Sequence, residues 1–371
     1  MTDARPVEII DIGGAPYERG RSLGIARGAA IERCIRDWLD SLRSAGVSDP
    51  ESHIARLLAE TRFGEAIREH TPDLLDEVRG IVDGSGLPEQ LVFAVQLMDE
   101  EWSYRAALVE KCSSLAFHIP DAVVVGQNMD LGEYTDGHQV IHRIAPYMGV
   151  PGALVFTISP MIALLGVNSS GVAVCVNSVP QLPSALSGLP VSFVIRRLLQ
   201  ARDVGEAVNL VRRLPHATGQ HYLLADSREI RSFEASAAGV HEYLAPDPSC
   251  VTHTNHPLAG EKGSGKIGAS TRVRLATLDR RLRSARAGVE DARVALAASD
   301  HPDYPVSIEH GSAREPSPST GMPSFTTGSM ISTLRRDADE VEAWVSPGPP
   351  SVRGWTRVVV PVGTSAEELR R

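Results

Sequence analysis

Cysteine, lysine and aromatic residues are scarce in this chain, and no long apolar run occurs. Only four cysteines stand among 371 residues, at 34, 112, 175 and 250, with no CxxC pair. That spacing argues against a disulfide framework and against a cysteine-rich zinc site. Apolar stretches such as ALVFTISPMIALLGV are broken by Ser and Pro, and none reaches the roughly 18 residues a membrane span needs. The opening MTDARPVEIIDIGG lacks a basic region followed by an apolar core, so no signal peptide is read and a cytoplasmic location is expected. The basic charge is nearly all Arg and Ala is abundant, which we read as coding bias. A net charge of −9 and a pI near 5.8 argue against general binding to nucleic acid or anionic membranes. What remains, 42% apolar and 22% charged residues, describes a globular protein able to bury a substantial core in one large domain or two ordinary ones.

Residues 1 to about 109 read mainly as helix. Apolar residues recur at helical spacing in SLGIARGAAIERCIRDWLDSLRS and in PDLLDEVRGIVDGSGLPEQLVFAVQLMDEEW. DGSGLP forms a turn inside the second stretch, with Pro88 opening the next helix. From Cys112 the period becomes that of strands, in CSSLAFHI, AVVVGQNMD, QVIHRIA, ALVFTIS, IALLGVN and GVAVCVNS. NSSG joins the last two as a hairpin turn, with Gly171 available for positive φ. Two amphipathic helices follow at about 190–202 and 203–213, the second capped by Asp203. Strands return in HYLLADS, IRSFEAS, VHEYLA and CVTHTNH, helices at about 270–286 and 289–298, and strands near 328–334, 340–345 and 356–361. HGSAREPSPSTGMPSFTTG reads as an exposed loop. Such blocks predict two sheets covered by helices rather than a βαβ repeat.

Cys34, Cys175 and Cys250 sit in helical or strand patterns that suit small buried residues. Cys112 differs, because it stands at the helix-to-strand change in EKCSSLAFHIPDAVVVGQNMDL. A thiol is mostly protonated at neutral pH and needs a base or a positive field to become a nucleophile. The α-amine of a chain-terminal residue, with a pKa of about 8, is such a base. Cys112 acquires one only if the Lys111–Cys112 bond is cut.

CSSLAF followed by GQNMD resembles the acyl-CoA:6-aminopenicillanic acid acyltransferase (isopenicillin-N acyltransferase)-like family of self-processing cysteine Ntn (N-terminal nucleophile) hydrolases. YERGRSLG, EVRGIVDGSGL, GVNSSGVAVCVNS, HTNHPL, ASTRVRLATLDRRL and SDHPDYPVSIEHG continue the likeness, in order, along almost the whole chain. The resemblance implies an α+β fold, the αββα sandwich of two mainly antiparallel sheets flanked by helices. It implies a helical N-terminal segment, 1–111, cut from a catalytic chain, 112–371, with both parts in one compact domain. Carried over by residue, Cys112 matches the nucleophile and Asp130 the Asp that positions the new α-amine. Asn255 matches an Asn that stabilises the reacting centre, expected as an oxyanion donor, and Ser114 a hydroxyl with a part in processing. Asn177 is a further expected donor by similarity to choloylglycine hydrolases, and Ser329 matches a Ser of a late core strand.

The activity so implied is amide hydrolysis or acyl transfer, through a thioester acyl-enzyme, on a small peptide-like or secondary-metabolite amide or thioester. No cofactor or metal is implied, although an acyl-CoA is a candidate cosubstrate. The expected partners are the small substrate and the chain's own cleaved N-terminal segment. Three positions depart from the pattern. Lys111 stands where the fungal enzymes have Gly, and Gln127 where the bile-salt and penicillin V branch carries Arg. Met330 stands where a basic substrate contact would be sought. Lys111 keeps a second reading open, an unprocessed, catalytically silent protein of the same fold that binds a small molecule or a partner.

Plainer readings exist for other residues. Asp130 alone could cap a turn, and Asn255 could be a turn residue ahead of Pro257. His253 and His256 lack a third ligand, so they are read as structural and a metal-dependent hydrolase is a distant third reading. GSGKIGAST lacks the phosphate-loop spacing, and RVRLATLDRRLRSAR reads as a solvated helix face.

Overall fold

The computed structural model describes residues 6–107, 111–260, 265–284, 286–313, 316–336 and 338–361. Among the described residues the N-terminal segment is mainly helix, as expected, and a short strand precedes its helices. β1 (Glu8–Ile12) is an isoleucine-rich run that pairs in parallel with β4 (Gln139–Ile144). Six helices follow: α1 (Pro16–Ser44), α2 (Pro50–Glu60), α3 (Phe63–His70), α4 (Pro72–Ser85), α5 (Glu89–Val95) and α6 (Met98–Tyr104). α4 ends at Gly86 with φ +67°, and Pro88 caps α5 as its sequence predicts.

The two glycine-bearing stretches of this segment pack against each other. A Cβ on Gly80 would lie 2.1 Å from the Tyr17 carbonyl oxygen, and one on Gly84 would lie 2.2 Å from that of Arg21. Only glycine lets α1 and α4 approach so closely. Beside the crossing, buried Glu77 of α4 accepts from Arg19 Nε at 2.7 Å and from Arg196 Nη2 at 3.0 Å. Burial alone would raise the Glu77 carboxyl, but Arg196 and Arg19 outweigh it and hold the group below its usual range.

The rest of the chain builds two sheets. The larger runs β1–β4–β5 (Ala153–Ile158)–β6 (Leu165–Asn168)–β7 (Ala173–Ser178)–β8 (Gln220–Ala225)–β9 (Ile230–Ser236)–β10 (Gly239–Glu242). The smaller runs β11 (Cys250–His253)–β2 (Lys111–Ile119)–β3 (Ala122–Gly132)–β12 (Ser324–Arg335)–β13 (Glu340–Ser346)–β14 (Thr356–Pro361), every pair antiparallel. Gly171 takes φ +79° in the β6–β7 turn. The sheets pack face to face, with β2 and β3 against β7 and with β12 and β13 against β6. α7 (Val191–Leu198) and α8 (Val204–Arg213), the latter capped by Asp203 as expected, cover the larger sheet. α9 (Ala269–Ser284) and α10 (Val289–Leu296) cover the smaller one over a separate core that includes Leu115, Phe117, Val124, Leu278, Leu296 and Ile331. This is the expected αββα sandwich.

The stretch expected to be an exposed loop at 310–328 is exposed at its start, at 310–312, 316 and 318, and is corrected by the structure from Ser319 onward. Ser319 and Thr320 are buried, and β12 begins at Ser324, paired with β3 from Gly132 onward. The pairing shifts by a bulge between Thr326 and Gly328, where a Cβ on Gly328 would stand 2.1 Å from the Phe156 ring. Gly328 reflects that close approach of the two sheets and not exposure.

Candidate active site

β2 places Cys112 at the start of a buried strand. Alternation sends Cys112, Ser114 and Ala116 to the face between the sheets, and Ser113, Leu115 and Phe117 toward α9 and α10. The backbone of Cys112 is held at both polar atoms. Its N–H donates to Asn255 Oδ1 at 2.9 Å, and its carbonyl accepts from Arg274 Nη1 at 2.5 Å. Arg274, from α9 and buried, also donates to Ser113 Oγ at 2.9 Å and to Asn255 Oδ1 at 2.8 Å. The Asn255 Nδ2 group donates to Ser178 O at 2.9 Å. In the uncleaved chain the oxygen of this amide therefore faces Cys112, while the N–H side expected to serve an oxyanion is bonded to Ser178.

The thiol itself is not activated. Burial pushes it well above the usual thiol range, and the charge of Asp130 adds to that. The backbone N–H of Asp130 and the Arg274 charge act the other way without cancelling it, and Asp99 adds a further rise. The group is protonated at neutral pH in this state. Its surroundings are also closed. A cavity of about 20 Å³ adjoins the sulfur, lined by Asp99, Trp102, Met129, Ser178 and Gln220 among others. That is room for roughly one water molecule. Asp99 and Trp102 come from α6, so the N-terminal segment fills the space over the thiol.

The remaining sequence candidates divide. Asp130 pairs with Lys111 in register, next to Cys112, and its Oδ1 accepts from Thr326 Oγ1 at 2.7 Å. Burial pulls the Arg274 guanidinium below its usual range, and the charge of the Asp130 carboxylate acts against that. Ser114 and Asn177 meet across the sheets, the hydroxyl donating to Asn177 Oδ1 at 2.6 Å. His221 Nδ1 contacts the same oxygen at 3.0 Å. Burial, with His253 beside it, holds His221 well below the usual range, so the ring is neutral, with its proton on Nδ1 and its Nε2 accepting from Ser232 Oγ. Ser329 is not brought to Cys112. It pairs with Asn128 one strand further over, its Oγ donates to Gln127 O, and alternation sets it on the same outer face as Ile331.

Gln127 bridges the sheets, its amide taking both the N–H and the carbonyl of Val176 at 2.8 and 2.5 Å. Met330 is buried in the core between the sheets. Among the described residues no group of three His, Cys, Asp or Glu is arranged to hold a metal ion. A wider cavity of about 470 Å³ is lined by Ser270, His301, Tyr304, Ser307 and Glu309 among others, but not by Cys112. Among those same residues no helix is long and apolar enough to cross a membrane. Sequence reasoning missed Arg274 and Glu234. Glu234 lies mid-strand in IRSFEAS, a signal that a buried carboxylate needs partners.

Two facing, mainly antiparallel sheets between helix layers form the αββα architecture of the N-terminal-nucleophile hydrolase fold. The chain belongs to the family described as acyl-coenzyme A:6-aminopenicillanic acid acyl-transferase, whose sequence profile matches residues 120–317. It is similar to the 40 kDa form of acyl-coenzyme A:6-aminopenicillanic-acid-acyltransferase of Emericella nidulans, 24% identical over 249 residues, covering 66% of this chain and 68% of that protein. Two solved structures are more distant. A mutant of conjugated bile acid hydrolase from Clostridium perfringens shares 12% identity at a TM-score of 0.44, covering 68% of this chain and 97% of that one. Penicillin V acylase from Agrobacterium tumefaciens shares 16% at 0.34, covering 67% and 86%.

Proposed function

We propose that the chain is an autoproteolytically activated cysteine amidohydrolase or acyltransferase, acting on an amide or thioester of a small peptide-like or secondary-metabolite compound. The observation that carries this is the double grip on the Cys112 backbone by Asn255 and Arg274, beside a buried thiol. Asn255 Oδ1 lies where it would receive the α-amine that cleavage creates.

In the processing step, Cys112 Sγ attacks the Lys111 carbonyl carbon, the C–N bond breaks, and its nitrogen leaves as the Cys112 α-amine. Water then hydrolyses the resulting thioester, giving a carboxylate on Lys111 and returning the thiol. As the C–N bond breaks, the proton of the thiol passes to the departing nitrogen, and in later turnover the free α-amine is the base that takes the proton of the thiol. Turnover repeats the chemistry on a substrate carbonyl, forming a thioester acyl-enzyme that passes its acyl group to water or an amine. α6 fills the space over the sulfur, so entry of a substrate requires this part of the N-terminal segment to move.

Intact-mass measurement and N-terminal sequencing test the processing step, a new N-terminus at Cys112 being the expected result. A cysteine-directed acylating probe tests the nucleophile, with labelling expected in the parent and absent in Cys112→Ala. One full-length, unlabelled species would instead support the silent binding protein. Incubation with amides, with and without competing amines, separates hydrolysis from transfer by product.

A further inference from the structure

Glu234 sits mid-strand on β9, in the larger sheet, and is 1% exposed. Its partners lie at the end of β11, in the smaller sheet, and in the turn that follows it. Oε1 accepts from His253 Nε2 at 2.9 Å and from the Leu258 N–H at 2.6 Å, and Oε2 accepts from the Ala259 N–H at 3.1 Å. One carboxylate thus closes the whole turn from 253 to 259. The His253 ring stacks on His221, with centroids 3.6 Å apart and planes 8° from parallel. Its Nδ1 faces Thr254 O at 2.7 Å, so each ring nitrogen meets an oxygen, one of the Glu234 carboxylate and one of the backbone.

The Thr254 carbonyl belongs to the peptide unit that leads into Asn255. The N–H of that same unit donates to Thr271 Oγ1 at 2.7 Å. The unit is therefore gripped at both polar atoms, by His253 on one side and α9 on the other. Fixing that unit limits where the Asn255 Cα and Cβ can lie, and so which rotamer brings the side-chain amide to its partners. That amide meets the Cys112 N–H and Ser178 O, both at 2.9 Å.

We propose that Glu234, acting through His253, is the positioning residue that holds Asn255 against Cys112 and so sets the rate of chemistry there. This rests on the reading of Cys112 as nucleophile. Glu234 touches neither the thiol nor the Cys112 backbone in any contact described, so its contribution is geometric. A misplacement of about 1 Å at a reacting centre can cost on the order of 100-fold in rate. Glu234→Gln puts an amide NH2 where a carboxylate oxygen now accepts, so a donor would face either His253 or the 258–259 backbone.

The experiment follows the full-length chain after cell-free synthesis and compares the parent with Glu234→Gln and Thr271→Val. Thr271→Val removes the acceptor of the Asn255 N–H without touching Glu234. The expected result is that both variants keep the parent's circular dichroism but release the Cys112 N-terminus about 10- to 100-fold more slowly. On processed material, the maximal rate of labelling by the acylating probe should fall with its half-saturation concentration unchanged. Parent-like rates in a folded Glu234→Gln overturn the proposal. If Glu234→Gln does not fold, parent-like rates in Thr271→Val overturn it. A parent that neither processes nor labels defeats the functional reading instead, so the two failures are distinguishable.

Discussion

Replacing Glu100 by Gln in α6 is expected to stabilise the uncleaved chain at pH 8 and to change it little near pH 4–5. Burial pushes the Glu100 carboxyl up to about 8, helped by the charge of Asp99, which burial itself pushes up to about 6. Hydrogen bonds from the Val191 N–H at 3.1 Å and Thr218 Oγ1 at 3.3 Å oppose this without cancelling it. Glu100 Oε2 has no hydrogen-bond partner among the described residues. In the unfolded chain a glutamate ionises at about 4.3. Between there and about 8 the folded chain keeps a proton that the unfolded chain has released. Stability therefore falls as pH rises through that window, is unaffected below it, and reaches its full loss above it. At about 1.4 kcal/mol for each pH unit over not quite four units, the full loss is on the order of 5 kcal/mol. Gln offers Val191 and Thr218 the same carbonyl oxygen and carries no charge at any pH. His142, held down to about 4 by burial, adds a slope of opposite sign on the acid side, and subtraction of the parent curve removes it. The assay is urea unfolding between pH 5 and 8.5 in a Cys112→Ala background, where the chain stays intact. A flat difference curve, or a variant less stable than its parent at pH 8, would refute the reasoning.

Two further changes test the frame around the site. Glu77→Gln removes the carboxylate facing buried Arg19 and Arg196, and should cost about 3–5 kcal/mol in unfolding measurements, since it strands buried charge. Arg274→Lys keeps the charge but cannot span the Cys112 carbonyl, Ser113 and Asn255 together. It should slow appearance of the Cys112 N-terminus by about 10- to 100-fold, corresponding to roughly 1.5–3 kcal/mol for lost charged hydrogen bonds. A parent-like rate by mass spectrometry would show that the guanidinium fork is not needed.

Period and punctuation carried much of the architecture. The switch from helical to strand spacing at Cys112, the NSSG turn and the Asp203 cap are local features, and each appears where the residues place it. β1 escaped that reading because five residues beside a long helical pattern say little until β4 arrives to pair with them. The stretch around Ser319 and Gly328 misled for a related reason, since small residues mark loops and close sheet contacts alike. At the site, the sequence by itself determined that a thiol heads a buried strand, with Ser114 on its face and Asp130 across the hairpin. It could not say that Asn255 and Arg274, 143 and 162 residues away, would close on the Cys112 backbone. Nor could it say that α6 would fill the space over the sulfur, that Ser329 would face away, or that Glu234 would reach between sheets to fix a turn. Spacing along a chain determines which face of an element a side chain takes. Which element arrives opposite that face is decided by how the sheets and helices pack, and only the tertiary structure contains that.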